Sequence, residues 1–385
     1  MGPNNLLRHA AATLLLLTCF GVKSGVAQVA PPPPAGRYEE AVREGRAAVR
    51  EMMQRDSVPG VGVAVMADGE LVWAEGFGFA DLEQRVPVTR ETRFGIGSIT
   101  KAMTMALYGR LVEEGVVEFD APVESYLAEF PHKNMKISVR LIAGHLSGLD
   151  DSVNTAHGLT STHYGTTAEA LRLLMNEPLK YRPLERHFYT TGPYTFIAGV
   201  VERAARKDFQ ALMNQYVIGP LGLKDTVPNN RRAIVPHRTA FYVSEEGKAV
   251  NAPFADPSFK LAGAGYLSTA EDVARFGAAF LKPGFLKEAT IAELFRPLRT
   301  SAGEDTGFAL GWRVGKDGRN RRIIHQPGGG PGISCWLTLY PDEKLVVAIL
   351  SNQTGAPVGG RTMDAIADSF VKQRTARRGG ARLNQ

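Results

Sequence analysis

The sequence predicts a mixed α/β fold of the α+β type: an antiparallel sheet drawn from both chain ends, flanked by helices, plus a mostly helical lobe. Three observations predict it. Strand-like apolar runs cluster near residues 61–74 and 336–350, an Asp-Gly pair punctuates the first cluster, and helical spacing dominates the stretch between. Joining the end strands into one sheet is the simplest way to bury both clusters, and it leaves a cleft between sheet and lobe.

In chain order, Arg8 precedes an apolar run from Ala10 to Val22, and Gly25-Val26-Ala27 supplies the small residues of a signal-peptidase site. Residues 1–27 therefore read as a cleaved signal peptide, which implies a secreted or periplasmic protein. The run is too short for a stable membrane span. Thr18 before Cys19 fits a lipoprotein site poorly. Residues 28–37, with Pro31-Pro32-Pro33-Pro34, form a stiff linker. A catalytic domain is expected over 38–372.

Within it, Tyr38 to Met53 has helical spacing, with Ala41, Val42, Ala48, Val49 and Met52 on one side. Val61–Met66 and Leu71–Ala74 flank Ala67-Asp68-Gly69-Glu70, a hairpin signal because Asp and Gly tolerate positive φ. Met103, Ala106, Leu107 and Leu111 continue a helix. Ser268-Thr269-Ala270-Glu271 reads as a capping box opening another. Gly263 and Gly265 are read as a tight strand-to-helix passage. Trp336–Tyr340 and Leu345–Leu350 form a second hairpin across Pro341-Asp342-Glu343-Lys344, and a last helix covers Thr362 to Val371. Residues 373–385 are expected to be a basic, disordered tail.

Composition narrows the function. The net charge of +6 invites a nucleic-acid reading. Two basic residues at the N-terminus (Arg8, Lys23) and five at the C-terminus (Lys372, Arg374, Arg377, Arg378, Arg382), with no acid at either end, reduce the body to −1. No basic, aromatic-interleaved face remains for nucleic acid. Of two cysteines, Cys19 leaves with the signal, so Cys335 stands alone and no internal disulfide can form. The eight histidines show no ligand spacing, and His157 and His163 share only a Thr- and Ser-rich loop, so no metal is expected. There is no Walker loop and no Gly-x-Ser-x-Gly elbow. No cofactor is expected, the oligomeric state is left open, and a small-molecule or peptide substrate is the partner implied.

What remains is Ser98-Ile99-Thr100-Lys101. With 15 Ser and 14 Lys in the chain, chance supplies roughly half an S-x-x-K match. A second match, Ser369-Phe370-Val371-Lys372, closes a helix beside the basic tail, where Lys is a favoured C-terminal residue. Ser98 instead follows Gly95-Ile96-Gly97 and opens a long helix. Residues i and i+3 share a helix face, so the Lys101 amine can reach the Ser98 hydroxyl. The helix N-terminus and burial both work against positive charge there, as a general base requires.

Gly97-Ser98-Ile99-Thr100-Lys101 resembles the nucleophile motif of serine β-lactamases and penicillin-binding proteins. Asp81-Leu82-Glu83, Leu111-Val112-Glu113-Glu114-Gly115, His145-Leu146-Ser147-Gly148-Leu149, Pro220-Leu221-Gly222-Leu223 and Gly263-Ala264-Gly265-Tyr266-Leu267-Ser268-Thr269 resemble, in order, blocks of the β-lactamase-related branch. The likeness spans about residues 39–372. Asn251-Ala252-Pro253-Phe254 with Ser258-Phe259-Lys260 resembles the group that includes the mitochondrial serine β-lactamase-like proteins.

The resemblance implies a sheet-plus-helical-lobe fold and a serine hydrolase working through an acyl-Ser98 intermediate, with Lys101 and Tyr189 as catalytic partners. The family's Tyr-x-Asn element falls on Tyr189-Thr190-Thr191, so a hydroxyl at Thr191 replaces the amide. The Lys- or His-Thr-Gly element falls on Gln326-Pro327-Gly328, or on His325 with a one-residue insertion; Gly328 and Gly329 complete the substrate and oxyanion side. Neither register supplies a Lys for a β-lactam carboxylate. The expected activity is an esterase or peptidase. The alternatives are a true β-lactamase or D-Ala-D-Ala carboxypeptidase, and a catalytically weak binding or filament-forming relative. His145 and Ser147 read as structural, and Asp120 as a turn residue.

Overall fold

The computed structural model describes Gly36 and residues 38–382. The expected signal peptide, Cys19 and the Pro31 to Pro34 spacer lie outside the described residues. Chain order runs α1 (Glu39–Arg55), β1 (Gly60–Ala67), β2 (Glu70–Asp81), β3 (Val86–Pro87), β4 (Phe94–Gly95) and α2 (Ile99–Glu113). A helical middle follows, with α3 (Tyr194–Ala205) its longest helix. Then come β5 (Val227–Pro228), β6 (Tyr242–Glu245), β7 (Lys248–Asn251), α4 (Leu261–Ala264), β8 (Tyr266–Ser268) and α5 (Ala270–Ala278). The chain closes on β9 (Arg313–Lys316), β10 (Arg322–Gly330), β11 (Ile333–Tyr340), β12 (Leu345–Ser351) and α6 (Arg361–Arg382).

Both predicted hairpins form, and they meet. Seven strands make one sheet in the order β3-β2-β1-β12-β11-β10-β9. The pairing Val61↔Ser351 through Ala67↔Leu345 joins the two ends of the sequence. Asp68 and Gly69 take φ of +53° and +83°, the turn geometry expected of Asp-Gly. Every residue of β1 is buried, which is why Val61–Met66 reads as a continuous apolar run rather than an alternating one. Val61, Val63 and Val65 face a layer built from α1 and α6, while Ala64 and Met66 face the core beneath α2 and α5.

Several details differ from the sequence expectation. The last helix runs on to Arg382, through most of the segment expected to be a disordered tail. Its first two residues are tied down: Gln373 Oε1 accepts from the Ala41 N–H at 3.0 Å, and Arg374 pairs with Asp68 at 2.6 Å. The cap of α5 is Thr269, not Ser268; its hydroxyl accepts from the Asp272 N–H, because Ser268 still belongs to β8. Gly263 and Gly265 sit at a helix-to-strand passage, the reverse of the expected order. The small sheet β4-β8-β5 and the β6-β7 hairpin have strands of two to four residues, too short to show a period.

Candidate active site

Ser98 is the N-cap of α2, so the helix presents it at the sheet-facing end of the lobe. Gly97 makes this approach possible. It takes φ of +46°, and a Cβ there would stand 2.7 Å from the Gly329 nitrogen and 2.9 Å from its oxygen. Only glycine meets both demands. The Ser98 carbonyl already serves α2, accepting from the Lys101 N–H at 3.0 Å.

Lys101 is wholly buried. Its Nζ lies 3.1 Å from Ser98 Oγ, 3.0 Å from Thr191 Oγ1 and 3.2 Å from the Gly263 carbonyl oxygen. The Tyr189 and Tyr194 rings close over it at 4.9 and 5.2 Å. Among the described residues no carboxylate forms an ion pair with it, although uncompensated buried charge is expensive. Lys101 Nζ donates to all three oxygens, which fixes the amine against the Ser98 hydroxyl.

Tyr189 hydrogen-bonds with Ser98 and Lys101. Burial raises its phenol, but the Lys101 charge and these hydrogen bonds outweigh burial and hold it below its ordinary value of 10.0. The Tyr189-Thr190-Thr191 run is clamped from both sides. The Thr190 N–H donates to His145 Nδ1 at 3.2 Å, and the Gly192 N–H donates to Asp151 Oδ1 at 2.7 Å. Burial, then Lys101, keeps the His145 imidazole well below 6.5, so it is the neutral acceptor this contact needs. Its ring lies 4.3 Å from that of Tyr189. His145 thus does structural work, as expected, but at the site itself.

The ladder between β10 and β11 sets the register of the third element. Gln326 is buried, and its Nε2 donates to the Ser98 carbonyl at 3.2 Å. Neighbouring strand residues point to opposite faces, so His325 faces away from Ser98. It stacks on Trp336 with centroids 5.5 Å apart, and burial plus Arg313 hold it at about 4. His325 therefore leaves the candidate site, and Gln326 occupies it. Pairing of β10 with β9 stops at His325↔Arg313, which leaves Pro327–Gly330 as an open edge beside Ser98. Gly328 is spent on packing: a Cβ there would meet the Ile96 carbonyl oxygen at 2.1 Å.

Sequence reasoning missed three contributors. Gly263 stands in a recognised block, but the role of its carbonyl in holding Lys101 is a backbone role that no residue type announces. Asp151 and the Arg313 guanidinium, 5.6 Å from the Tyr189 ring centre, come from segments with no catalytic signature. No group of three or more His, Cys, Asp or Glu among the described residues is placed to hold a metal ion. No described helix is long and apolar enough to cross a membrane.

The family described as Beta-lactamase matches residues 46–371. The chain belongs to the Beta-lactamase family. Within the Beta-lactamase family it is a serine hydrolase, with the sheet-plus-lobe architecture of the penicillin-binding proteins. It is 28% identical to the human mitochondrial serine β-lactamase-like protein LACTB, over 90% of this chain and 82% of that one. It is 25% identical to penicillin-binding protein 4* of Bacillus subtilis, over 74% of this chain and 66% of the other. The solved structure of EstCE1, a hydrolase with promiscuous acyltransferase activity, superposes with a TM-score of 0.75 at 20% identity, covering 86% and 99% of the two chains.

Proposed function

We propose that the protein hydrolyses small esters or amides in two steps through an acyl-Ser98 intermediate. The observation that carries this reading is the wholly buried Lys101 amine, 3.1 Å from Ser98 Oγ and without a carboxylate partner. Lys101, assisted by Tyr189, takes the Ser98 proton as Oγ attacks the carbonyl carbon. The oxyanion forms against the N–H groups of Ser98 and Gly329, each donor contributing a few kcal/mol. Tyr189 passes the proton to the leaving group, whose bond to the carbonyl carbon then breaks. Water, deprotonated by the same pair, attacks the acyl-enzyme and returns Ser98. No cofactor enters this scheme.

Esters and simple amides fit better than β-lactams. Thr191 spends its hydroxyl on Lys101 and presents no amide to an acyl side chain. Gln326 stands where a carboxylate-binding Lys would be, and its amide nitrogen is engaged with Ser98. Short-chain p-nitrophenyl esters are expected to turn over far faster than nitrocefin or penicillin. A cephalosporin kcat/KM above the ester value would overturn that preference and favour a β-lactamase.

We further propose export, on the reading of residues 1–27; penicillin-binding protein 4* is bacterial, whereas LACTB is mitochondrial. The mature chain is expected to start near Gln28, and intact-mass measurement on secreted protein checks it. A diacylglyceryl group on Cys19 would contradict it.

A further inference from the structure

A cavity of about 420 Å³ opens beside Gly329, at the end of β10. Three cations line it: Arg231, Arg238 and Lys260. Other half-buried arginines face carboxylates, as Arg93 does Asp225 and Arg321 does Asp317, though Arg313 beside Tyr189 does not. These three form no ion pair among the described residues. Arg238 donates only to the carbonyls of Asn230 and Ala233, and Lys260 only to the Asn154 side-chain oxygen at 2.6 Å. Arg231 is sandwiched over the Phe241 and Phe254 rings at 5.1 and 4.9 Å, and its buried Nε has no hydrogen-bond partner. Asp81 is the one carboxylate in the lining, and it already accepts from the Gln84 N–H.

Burial, then Arg238, holds the Arg231 guanidinium below its ordinary value, and burial together with Lys101 brings Lys260 to about 8. Desolvated cations with no ion-paired carboxylate are costly, a cost that Asp256 near Arg231 and Asp151 near Lys260 offset only in part, and an incoming anion relieves it. We propose that the cavity receives a carboxylate on the acyl portion of the substrate, so that the enzyme prefers half-esters or half-amides of dicarboxylic acids, or acyl groups with an acidic side chain. The acyl portion is the one that reaches it. Gly329, which serves the acyl oxygen, is the member of the proposed machinery that the lining contains; Ser98, Lys101 and Tyr189 lie outside it. Phe241 and Ile333 give the connecting methylenes an apolar wall. This inference rests on the serine-hydrolase reading of Ser98, and its test separates the two.

The full-length protein is assayed with p-nitrophenyl hydrogen adipate and with its methyl-capped diester, which differ by the carboxylate charge, and spontaneous release is subtracted. The kcat/KM ratio of anion to neutral ester is expected to be roughly ten or more, the worth of one charge-assisted hydrogen bond. It should fall with added salt and collapse toward one in Arg231→Met. Binding of monomethyl adipate to Ser98→Ala protein, by calorimetry, reads the cavity without catalysis and should be lost in the Ser98→Ala, Arg231→Met double variant. Both esters turned over at equal rates, or Ser98→Ala protein that does not bind the monoester, would overturn the carboxylate proposal and leave the hydrolase reading standing. Binding without any ester turnover would overturn the hydrolase reading and leave the cavity assignment standing.

Discussion

A buried amine with no ion-paired carboxylate is costly, and the residues around Lys101 hold it against the Ser98 hydroxyl. Three oxygens, on Ser98, Thr191 and Gly263, take its hydrogen-bonding capacity. Gly97 sets the distance between this group and the β10 edge. Gly97→Ala forces a side chain into the left-handed region, at about 1–2 kcal/mol. It also drives a methyl against the Gly329 backbone, which cannot rotate away. A folded protein with a lowered Tm and ester kcat reduced roughly 10²-fold is expected, because small displacements of reacting groups are that costly. Thermal melts and steady-state kinetics measure both. At this scale the sequence was legible where chemistry requires a particular side chain, as at Ser98, Lys101 and Tyr189. The choice between His325 and Gln326 was not, because the parity of a strand emerges only once its ladder is formed. Nor was Gly263, since its backbone oxygen acts and its side chain does not.

Among the elements, α1 and α6 form the layer behind the sheet, and they are the pair most separated in sequence. Phe370 of α6 is fully buried, its ring 5.5 Å from Tyr38 and 6.2 Å from Trp73. Phe370→Ala should cost about 3–5 kcal/mol in urea unfolding. Ester turnover under native conditions should persist, since Ser98, Lys101 and Gln326 lie on the other face of the sheet and only Ile323 of β10 joins this cluster; a loss below 1 kcal/mol would contradict the packing. The flanking helices and both hairpins were legible because each repeats a clear period over many residues. The extension of α6 to Arg382 was not: Arg377, Arg378, Gly379 and Gly380 read as a solvated end, and helix interior and tail share that polar composition. β4, β5 and β8 are set by the tertiary positions of Phe94 and Leu267 rather than by any local pattern.

On the scale of the whole molecule, the candidate site forms because two distant parts of the chain meet. The sheet brings Gln326 and Gly329 from the C-terminal strands, the lobe brings Ser98, Lys101 and Tyr189, and the cations Arg231 and Lys260 come from the middle of the sequence. The account therefore depends on one nucleophile out of two S-x-x-K candidates. Ser369, the other, is buried against α1, its hydroxyl donating within hydrogen-bond distance of the Ile366 and Ala41 carbonyls, with no open edge or base at hand. The direct test is peptide mapping by mass spectrometry after reaction with a fluorophosphonate, in wild-type, Ser98→Ala and Ser369→Ala protein. The account predicts the adduct on the Ser98 peptide in wild-type and Ser369→Ala protein, and neither adduct nor ester turnover in Ser98→Ala. An adduct on another serine, or a Ser98→Ala protein that hydrolyses ester at the wild-type rate, would contradict it.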